Sequence, residues 1–294
     1  MVLMSGKELS RDVNASTKAG CEAFALKYSR KPCLAVILAG DDPASVTYVR
    51  NKKKACEETG IDHRDFTLAS DINRKELLTL IDNLNCDENM DGILVQMPLP
   101  GHIDENAVID AILPSKDVDG FHPNNVGKLL LGQSSLIACT PKGILRLLDH
   151  YGIQTAGREI CVIGRSNIVG KPMAALLMRK GRDATVTVCN SFTPDVSFYS
   201  KRADIVISAV GKPGYLKADM IKEGAAVIDV GINRVPDKTK KSGFALKGDA
   251  DFDSVSLKAG AITPVPGGVG PMTIAMLLEN TLAAASLRMK ESHE

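Results

Sequence analysis

A phenol and a primary amine stand four residues apart in Tyr48-Val-Arg-Asn-Lys52, a spacing that puts both on one face of a helix. A lysine amine is among the side-chain groups that can carry a proton in catalysis. The plain alternative is a solvated helix face, and the adjacent Lys53 and Lys54 suit it equally well. A second polar group with a defined place is Gln96, which ends the apolar run Gly92-Ile-Leu-Val before Met97-Pro98-Leu-Pro100. Ligands of open α/β sheets bind at the carboxyl ends of strands, so such a residue is a candidate contact. Pro114-Ser-Lys-Asp117-Val-Asp119-Gly-Phe-His122 gathers two carboxylates and a histidine in one loop; ordinary turn chemistry is the competing account.

Two glycine-rich segments point to ligands approached by backbone. In 262–274, Ile-Thr-Pro-Val-Pro-Gly-Gly-Val-Gly-Pro-Met-Thr-Ile, three prolines and three glycines, among them Pro264, Gly267 and Gly268, specify a tight path with little side-chain bulk. That suits a wall against a flat ligand, and also a rigid interdomain connector. Glu159-Ile-Cys-Val-Ile-Gly164-Arg-Ser-Asn-Ile-Val-Gly170-Lys-Pro172 reads as strand, glycine turn and helix start, which aims amide groups and a helix dipole at a phosphate. Its Gly-x5-Gly spacing differs from the usual dinucleotide fingerprint, and it is one residue too long for a P-loop, with Pro172 in place of a hydroxyl. The following strand ends Thr187-Val-Cys-Asn190-Ser191 without the acid that grips the ribose of NAD. Arg165 and Ser191 suit a 2′-phosphate instead, so NADP is the expected cofactor, with a solvent-facing Arg165 as the alternative. Asp229-Val-Gly231-Ile232-Asn233 ends another strand with polar groups where a cofactor would lie.

Composition narrows the class. The 294 residues are 44% apolar with a formal net charge of +1, which favours two domains and offers no electrostatic footprint for nucleic acid or an anionic membrane. No apolar run approaches the length of a bilayer span, and no basic-then-apolar leader opens the chain. Seven scattered cysteines, without a Cys-x-x-Cys or a nearby histidine pair, read as core residues of a cytoplasmic protein with no structural metal.

The elements that must position these groups alternate. A capping box at Ser5-x-x-Glu8 opens a helix over 5–29, followed by a strand at Cys33 to Ala39 and a helix from Pro43 to the stop at Gly60. A short strand at 66–68, a helix over 73–85, a buried strand over 92–96 and a helix over 104–112 follow. The Pro-, Gly-, Asn- and Asp-rich stretch 114–139 predicts the domain crossing. Thr140-Pro141 starts a helix, and apolar strands are expected at 159–164, 184–189, 204–210, 225–230 and 260–263 before a last helix from about 272. Apolar strands alternating with helices predict parallel sheets covered on both faces.

Taken together, seven motifs in order resemble the bifunctional methylenetetrahydrofolate dehydrogenase/cyclohydrolases of one-carbon metabolism. They are Asp42-Pro-Ala-Ser45-x-x-Tyr48-Val-x-x-Lys52, Gly92 to Pro100, Lys116-Asp-Val-Asp119-Gly, Thr140-Pro-x-Gly143, Val162-Ile-Gly-Arg-Ser166-x-Ile-Val-Gly170-x-Pro172, Val227 to Asn233 and the Pro264 to Pro271 loop. The position of the Tyr-x-x-x-Lys pair, far upstream of the glycine turn, separates the chain from the short-chain dehydrogenases. The resemblance implies an α/β fold of two domains flanking a cleft, the second of Rossmann type, in a homodimer. It implies a catalytic domain over 1–139, completed by the helix 272–294, and an NADP-binding domain over 140–271. It further implies that Lys52 is the key catalytic residue with Gln96 hydrogen-bonded to it, that Tyr48 orients the folate, and that Asp119 binds the pterin. Pro264, Gly267 and Gly268 would line the tetrahydrofolate side, while Gly164, Arg165, Ser166, Gly170, Ser191 and Ile232 would take NADP.

Three positions depart from the family pattern: Asn190 replaces a usual histidine, Ala250 a valine and Ala138 a proline. The implied reaction oxidises 5,10-methylenetetrahydrofolate and then hydrolyses the methenyl product to 10-formyltetrahydrofolate. The first step needs chiefly the placement of two rings. The second needs a proton carrier, and a lysine serves only if a fraction of it is neutral near pH 7, whereas free lysine titrates at about 10.4. A dehydrogenase with weak hydrolysis, or a dinucleotide sensor without turnover, are the alternatives. A sensor has no need of a proton-transfer group beside Gln96.

Overall fold

The computed structural model describes residues 1–240 and 243–291, so positions 292–294 of the expected terminal helix lie outside the described residues. In chain order the elements are β1 (Val2–Leu3), α1 (Gly6–Tyr28), β2 (Cys33–Ala39), α2 (Pro43–Thr59), β3 (Asp62–Leu68), α3 (Arg74–Cys86), β4 (Gly92–Val95), α4 (Glu105–Ala111), α5 (Pro123–Leu130) and α6 (Cys139–His150). They continue with β5 (Glu159–Ile163), α7 (Gly170–Met178), β6 (Thr185–Cys189), α8 (Val196–Ser200), β7 (Ile205–Ser208), β8 (Ala226–Asp229), β9 (Asn233–Pro236), β10 (Phe244–Lys247), α9 (Phe252–Ser256), β11 (Ala261–Ile262) and α10 (Val269–Glu291). The chain divides into two compact units. One comprises Met1–Ser10, Leu129–Gln133 and Thr140–Thr273; the other comprises Arg11–Lys128, Ser134–Cys139 and the chain from Ile274 onward.

The second of these units is built on a three-stranded parallel sheet in the order β3-β2-β4. Every residue of β2 is buried, as its uninterrupted apolar run requires of a central parallel strand. Ile37 and Ala39 of β2 pack with Leu77 and Ile81 of α3 and with Ile93 and Val95 of β4. The helix α2 is fixed at both ends. Asp42 accepts from the Ser45 amide at 2.8 Å, Pro43 opens the helix, and Gly60 closes it at φ 78°. Strand β3 runs four residues earlier than the expected 66–68, because Asp62, His63, Arg64 and Asp65 carry no apolar signal. Main-chain pairing with β2, from Cys33↔Asp62 to Ala39↔Leu68, forms this exposed edge regardless.

The other unit carries a six-stranded, wholly parallel sheet in the order β1-β11-β8-β7-β5-β6. The chain leaves β5 to one side for β6 and returns to its other side for β7, so the topological switch, where such sheets bind ligands, falls at β5. Four elements were not expected. Two-residue β1 is too short to read from sequence, yet it pairs with β11 through Val2↔Ala261 and Leu3↔Ile262. The β9–β10 hairpin follows no apolar alternation. Helix α5 lies inside the stretch read as irregular, disguised by Asn124, Asn125 and Gly127. Helix α10 begins at Val269, inside the Pro/Gly segment, since the first helical amides need no intrahelical partner and Pro271 is tolerated there.

One buried ion cluster fastens three elements of the sheet-β3-β2-β4 unit. Asp91, fully buried, accepts both Nη groups of Arg30 at 2.7 and 2.8 Å, the Cys33 amide at 2.9 Å and Arg288 Nη1 of α10 at 3.3 Å. Removing that carboxylate takes away the charge that both guanidinium groups bond, leaving them main-chain carbonyls, that of Lys31 for Arg30 and those of Met90 and Glu88 for Arg288. Asp91→Ala is expected to lower unfolding free energy by about 3 kcal/mol, read as a reduced urea midpoint at unchanged slope.

Candidate functional site

Lys52 lies on the buried stripe of α2 formed by Ser45, Val49, Lys52, Ala55, Cys56 and Thr59. It is 8% exposed, so the solvated-face alternative does not describe it. Lys53 and Lys54 turn outward instead, pairing with Asp65 at 2.8 Å and Glu58 at 3.7 Å. The Lys52 amine donates to Gln96 Oε1 at 3.0 Å. Gln96 in turn donates its Nε2 to the Met97 carbonyl at 2.7 Å, which fixes the amide so that its oxygen faces the lysine. The Gln96 main chain is tied to β2 through Ile37 O at 2.8 Å. A strand end, a helix face and an oriented amide thus aim one amine. Tyr48 lies one turn earlier on α2 and is half-buried.

Asp119 sits in a loop with unusually complete fastening. Lys116, 1% exposed, donates to the carbonyls of Leu84, Asn85 and Asp87 at 2.7–2.8 Å, capping the end of α3. Burial pushes its amine down to about 8, with Arg288 second, against the pull of Asp87 and Asp91. The Asp117 carboxylate accepts from the amides of Gly120, Phe121 and His122 and from Asn125 Nδ2 at 2.9 Å. Val118 O accepts from Cys139 Sγ and from Asn280 Nδ2, at 2.8 Å in the latter case. Asp117 therefore organises the turn, and Asp119 is left as the carboxylate with no hydrogen-bond or ion-pair partner among the described residues. Burial pushes its carboxyl up to about 6, opposed by the charge of Lys52 and aided by that of Asp117.

Sequence reasoning did not single out Asn280. Its signal was faint: Asn280 stands between Glu279 and Thr281 in the last helical run, where a polar turn of the helix face reads as solvated, yet the fold buries it. Lys116 was legible only as part of a motif, because nothing local to it shows that α3 ends against it.

In the other unit the glycine turn follows β5. A Cβ on Gly164, at φ 125°, would strike the Ala209 carbonyl, and one on Gly170 would strike the Gly164 carbonyl. Glycine is required at both positions, and the turn presents backbone at the sheet's switch point, a cradle that fits a dinucleotide. Ser166 Oγ accepts from the Val169 amide at 3.2 Å and faces Gly170 at 3.5 Å, so it braces the start of α7. Arg165 and Ser191 are exposed, and the Arg165 guanidinium lies 5.6 Å from the ring centroid of Phe192. Phe192, 82% exposed, went unnoticed in sequence; with Arg165 it offers a flat, cationic surface. Asn190 accepts from the Phe192 amide at 2.9 Å, an Asx turn that sets the path of Ser191. Ile232 is exposed beyond the end of β8. The residues Pro264, Gly267 and Gly268 form the loop before α10. Gly267 takes φ 106° and its carbonyl accepts from Lys7 N at 2.9 Å; a Cβ on Gly268 would press on the Pro264 carbonyl. Among the described residues, no cluster of His, Cys, Asp or Glu is placed to hold a metal ion, and no helix is long and apolar enough to cross a membrane.

Comparison with known proteins covers most of the chain. Residues 4–119 match the family described as "Tetrahydrofolate dehydrogenase/cyclohydrolase, catalytic domain", and residues 138–289 match its "NAD(P)-binding domain". The chain belongs to the tetrahydrofolate dehydrogenase/cyclohydrolase family. A relative in Chlorobium luteolum named "Bifunctional protein FolD" is 54% identical across 96% of this chain and 97% of its own. The crystal structure of the bifunctional FolD dehydrogenase/cyclohydrolase from Campylobacter jejuni is 50% identical, covers 98% of this chain and 99% of its own, and has a TM-score of 0.92. The Trypanosoma brucei methylenetetrahydrofolate dehydrogenase-cyclohydrolase, solved with NADP and an inhibitor, is 38% identical over 99% of each chain with a TM-score of 0.95. Within this family Lys52, Gln96 and Asp119 fall in the matched catalytic domain, and the glycine turn in the NAD(P)-binding domain.

The raised Asp119 carboxyl sets a sign for stability. Its folded value of about 6 exceeds the ordinary 3.8, so burial costs nothing below pH 4 and its full amount above pH 6. Asp119→Asn removes that cost. It is expected to stabilise the fold by about 2 kcal/mol at pH 7.5 and by almost nothing at pH 4, measured by urea unfolding at the two pH values.

Proposed function

We infer that this chain oxidises 5,10-methylenetetrahydrofolate to 5,10-methenyltetrahydrofolate with NADP and hydrolyses that product to 10-formyltetrahydrofolate. The observation that carries the reading is the buried Lys52 amine held on the oriented Gln96 amide, in the unit where Asp119 has no hydrogen-bond or ion-pair partner among the described residues. The proposed division of labour puts folate chemistry in residues 1–139 with the terminal helix, and cofactor binding in 140–271. The protein is proposed to work in the cytoplasm as a homodimer.

In this reading Tyr48 packs on the folate ring, and the Asp119 carboxylate accepts hydrogen bonds from the pterin. Pro264, Gly267 and Gly268 line the substrate with backbone, where no side chain intrudes. The turn from Gly164 to Gly170, which includes Ser166, receives a cofactor phosphate, Arg165 and Ser191 receive the 2′-phosphate, and Ile232 lies against the cofactor. When bound, the nicotinamide accepts a hydride from the one-carbon bridge, and holding the two rings in register is the protein's main contribution to that step. Hydrolysis makes a different demand. Water adds to the cationic methenyl carbon; of its two protons one is released to solvent, and the other passes to a ring nitrogen as the bond from that nitrogen to the carbon breaks and the formyl C=O forms. Lys52 is the carrier of that proton, with Gln96 Oε1 holding Nζ in place throughout.

Two measurements test this. Lys52→Met is expected to slow hydrolysis of methenyltetrahydrofolate by roughly 10²–10⁴-fold while NADP affinity stays at the native value; near-native hydrolysis would remove Lys52 from the mechanism. Arg165→Ala is expected to raise the KM for NADP by roughly 10–100-fold and to leave that for NAD unchanged, in a spectrophotometric assay of methylenetetrahydrofolate oxidation. Equal effects on both dinucleotides would take Arg165 away from the 2′-phosphate.

A further inference from the structure

Two buried carboxylates that the reaction does not use lie behind the dinucleotide site. Asp229 ends β8 and Asp249 follows β10; they are 3% and 0% exposed. The Asp249 carboxylate accepts from three consecutive amides, those of Val210 and Gly211 on Oδ2 at 2.7 and 3.2 Å and that of Lys212 on Oδ1 at 3.0 Å. Its Oδ1 also accepts from Asn233 Nδ2 at 3.0 Å. Successive amides converging on one point form a nest, the backbone concavity that elsewhere binds a free anion. Here the anion is the protein's own side chain.

Asp249 is held in turn by Asp229, whose Oδ1 accepts from the Gly231 and Asp249 amides at 3.0 and 2.8 Å and whose Oδ2 accepts from the Ala250 amide at 2.8 Å. Gly231 and Gly248 have no room for a Cβ: one on Gly231 would strike the Asp249 carboxylate, and one on Gly248 the Asp229 carboxylate. Asp229 is anchored to the sheet through its amide, which donates to Thr263 Oγ1 at 2.8 Å. Among the described residues, no lysine, arginine or histidine side chain hydrogen-bonds or ion-pairs with either carboxylate. Burying two carboxylates without a cation is costly, and the amide donors gathered on them are what offsets that cost, so carboxylates and loops hold one another in place.

The fastened segments have one place in common. Residues 209–212 leave the carboxyl end of β7, beside the glycine turn, with Ala209 N donating to Ile163 O at 2.8 Å and the Ala209 carbonyl against Gly164. Residues 230–233, including Ile232, leave the carboxyl end of β8, the next strand. These strand ends flank the switch point at which a dinucleotide lies on such a sheet. We propose that Asp249 is a positioning residue for NADP, its carboxylate locking the loops after β7 and β8 into the shape that receives the cofactor before it arrives. Preordering those loops removes an entropic cost from binding and leaves the folate chemistry of Lys52 and Gln96 untouched.

The proposal rests on the NADP reading above, and the two activities separate their failures. Native enzyme without NADP-dependent oxidation would sink the reading itself. With native oxidation in hand, Asp249→Asn keeps one acceptor and loses the charge. It is expected to raise the KM for NADP by about 10-fold or more, the scale of one or two lost charge-assisted hydrogen bonds. The KM for the folate and the rate of methenyltetrahydrofolate hydrolysis without NADP should remain native. A purely structural role predicts the opposite pattern, in which both activities fall with the fraction folded and the NADP KM does not move; that pattern overturns the proposal. Should Asp249→Asn fail to fold, Asn233→Ala removes one contact to Asp249 and spares the nest. A rise of roughly 3- to 10-fold in the NADP KM supports the proposal, and an unchanged KM in the folded variant refutes it.

Discussion

Parallel strands end in a structural debt of hydrogen bonds: the chain must leave the sheet, and the amides and carbonyls of the departing loop lose their ladder partners. This fold meets that demand with charged side chains buried under the loops. Asp117 gathers the loop that carries Asp119, Lys116 and Asn280 hold its other side, and Asp249 and Asp229 gather the loops after β7 and β8. The residues proposed to touch ligands are consequently few, and each stands on backbone that something else has immobilised. Rigid presentation of a small number of polar groups is what a reaction governed by ring placement demands.

The same constraint explains the electrostatics. Lys116 is pushed down to about 8 and Asp119 and Asp229 up to about 6, in each case chiefly by burial. Only Asp119 among these three lacks compensating hydrogen bonds. Lys116 and Asp229 are fully engaged with main chain, so their displaced titration reflects the cost of holding loops. Asp119 carries a similar cost with no hydrogen bond among the described residues to offset it, and perturbed groups of that kind cluster at functional sites.

Much of this was legible in the residues. The apolar run of β2, the caps of α2, the glycine turn after β5 and the spacing of Tyr48 and Lys52 all carry local signals that the fold respects. Elements whose stability comes from elsewhere were not legible. The first half of β3 is held by pairing to β2, β1 by pairing to β11, and α5 by contacts of Asn125 with Asp117 and Pro114. The candidate site divides in the same way. Lys52, Gln96 and Asp119 stand out by type and motif, whereas the bonds of Lys116, Asn280 and Asp249 join positions that lie far apart along the chain or in different elements. Period and propensity contain no information about such partners.

The pairing of β1 with β11 has a consequence for how the protein folds. Val2 and Leu3 meet Ala261 and Ile262, and the Lys7 amide meets the Gly267 carbonyl, so segments very far apart along the chain must come together before the edge of the six-stranded sheet exists. Contacts of such separation form slowly, because the entropy of closing the intervening chain is lost before they contribute anything. Until they form, β11 is an open strand edge on which another chain could pair.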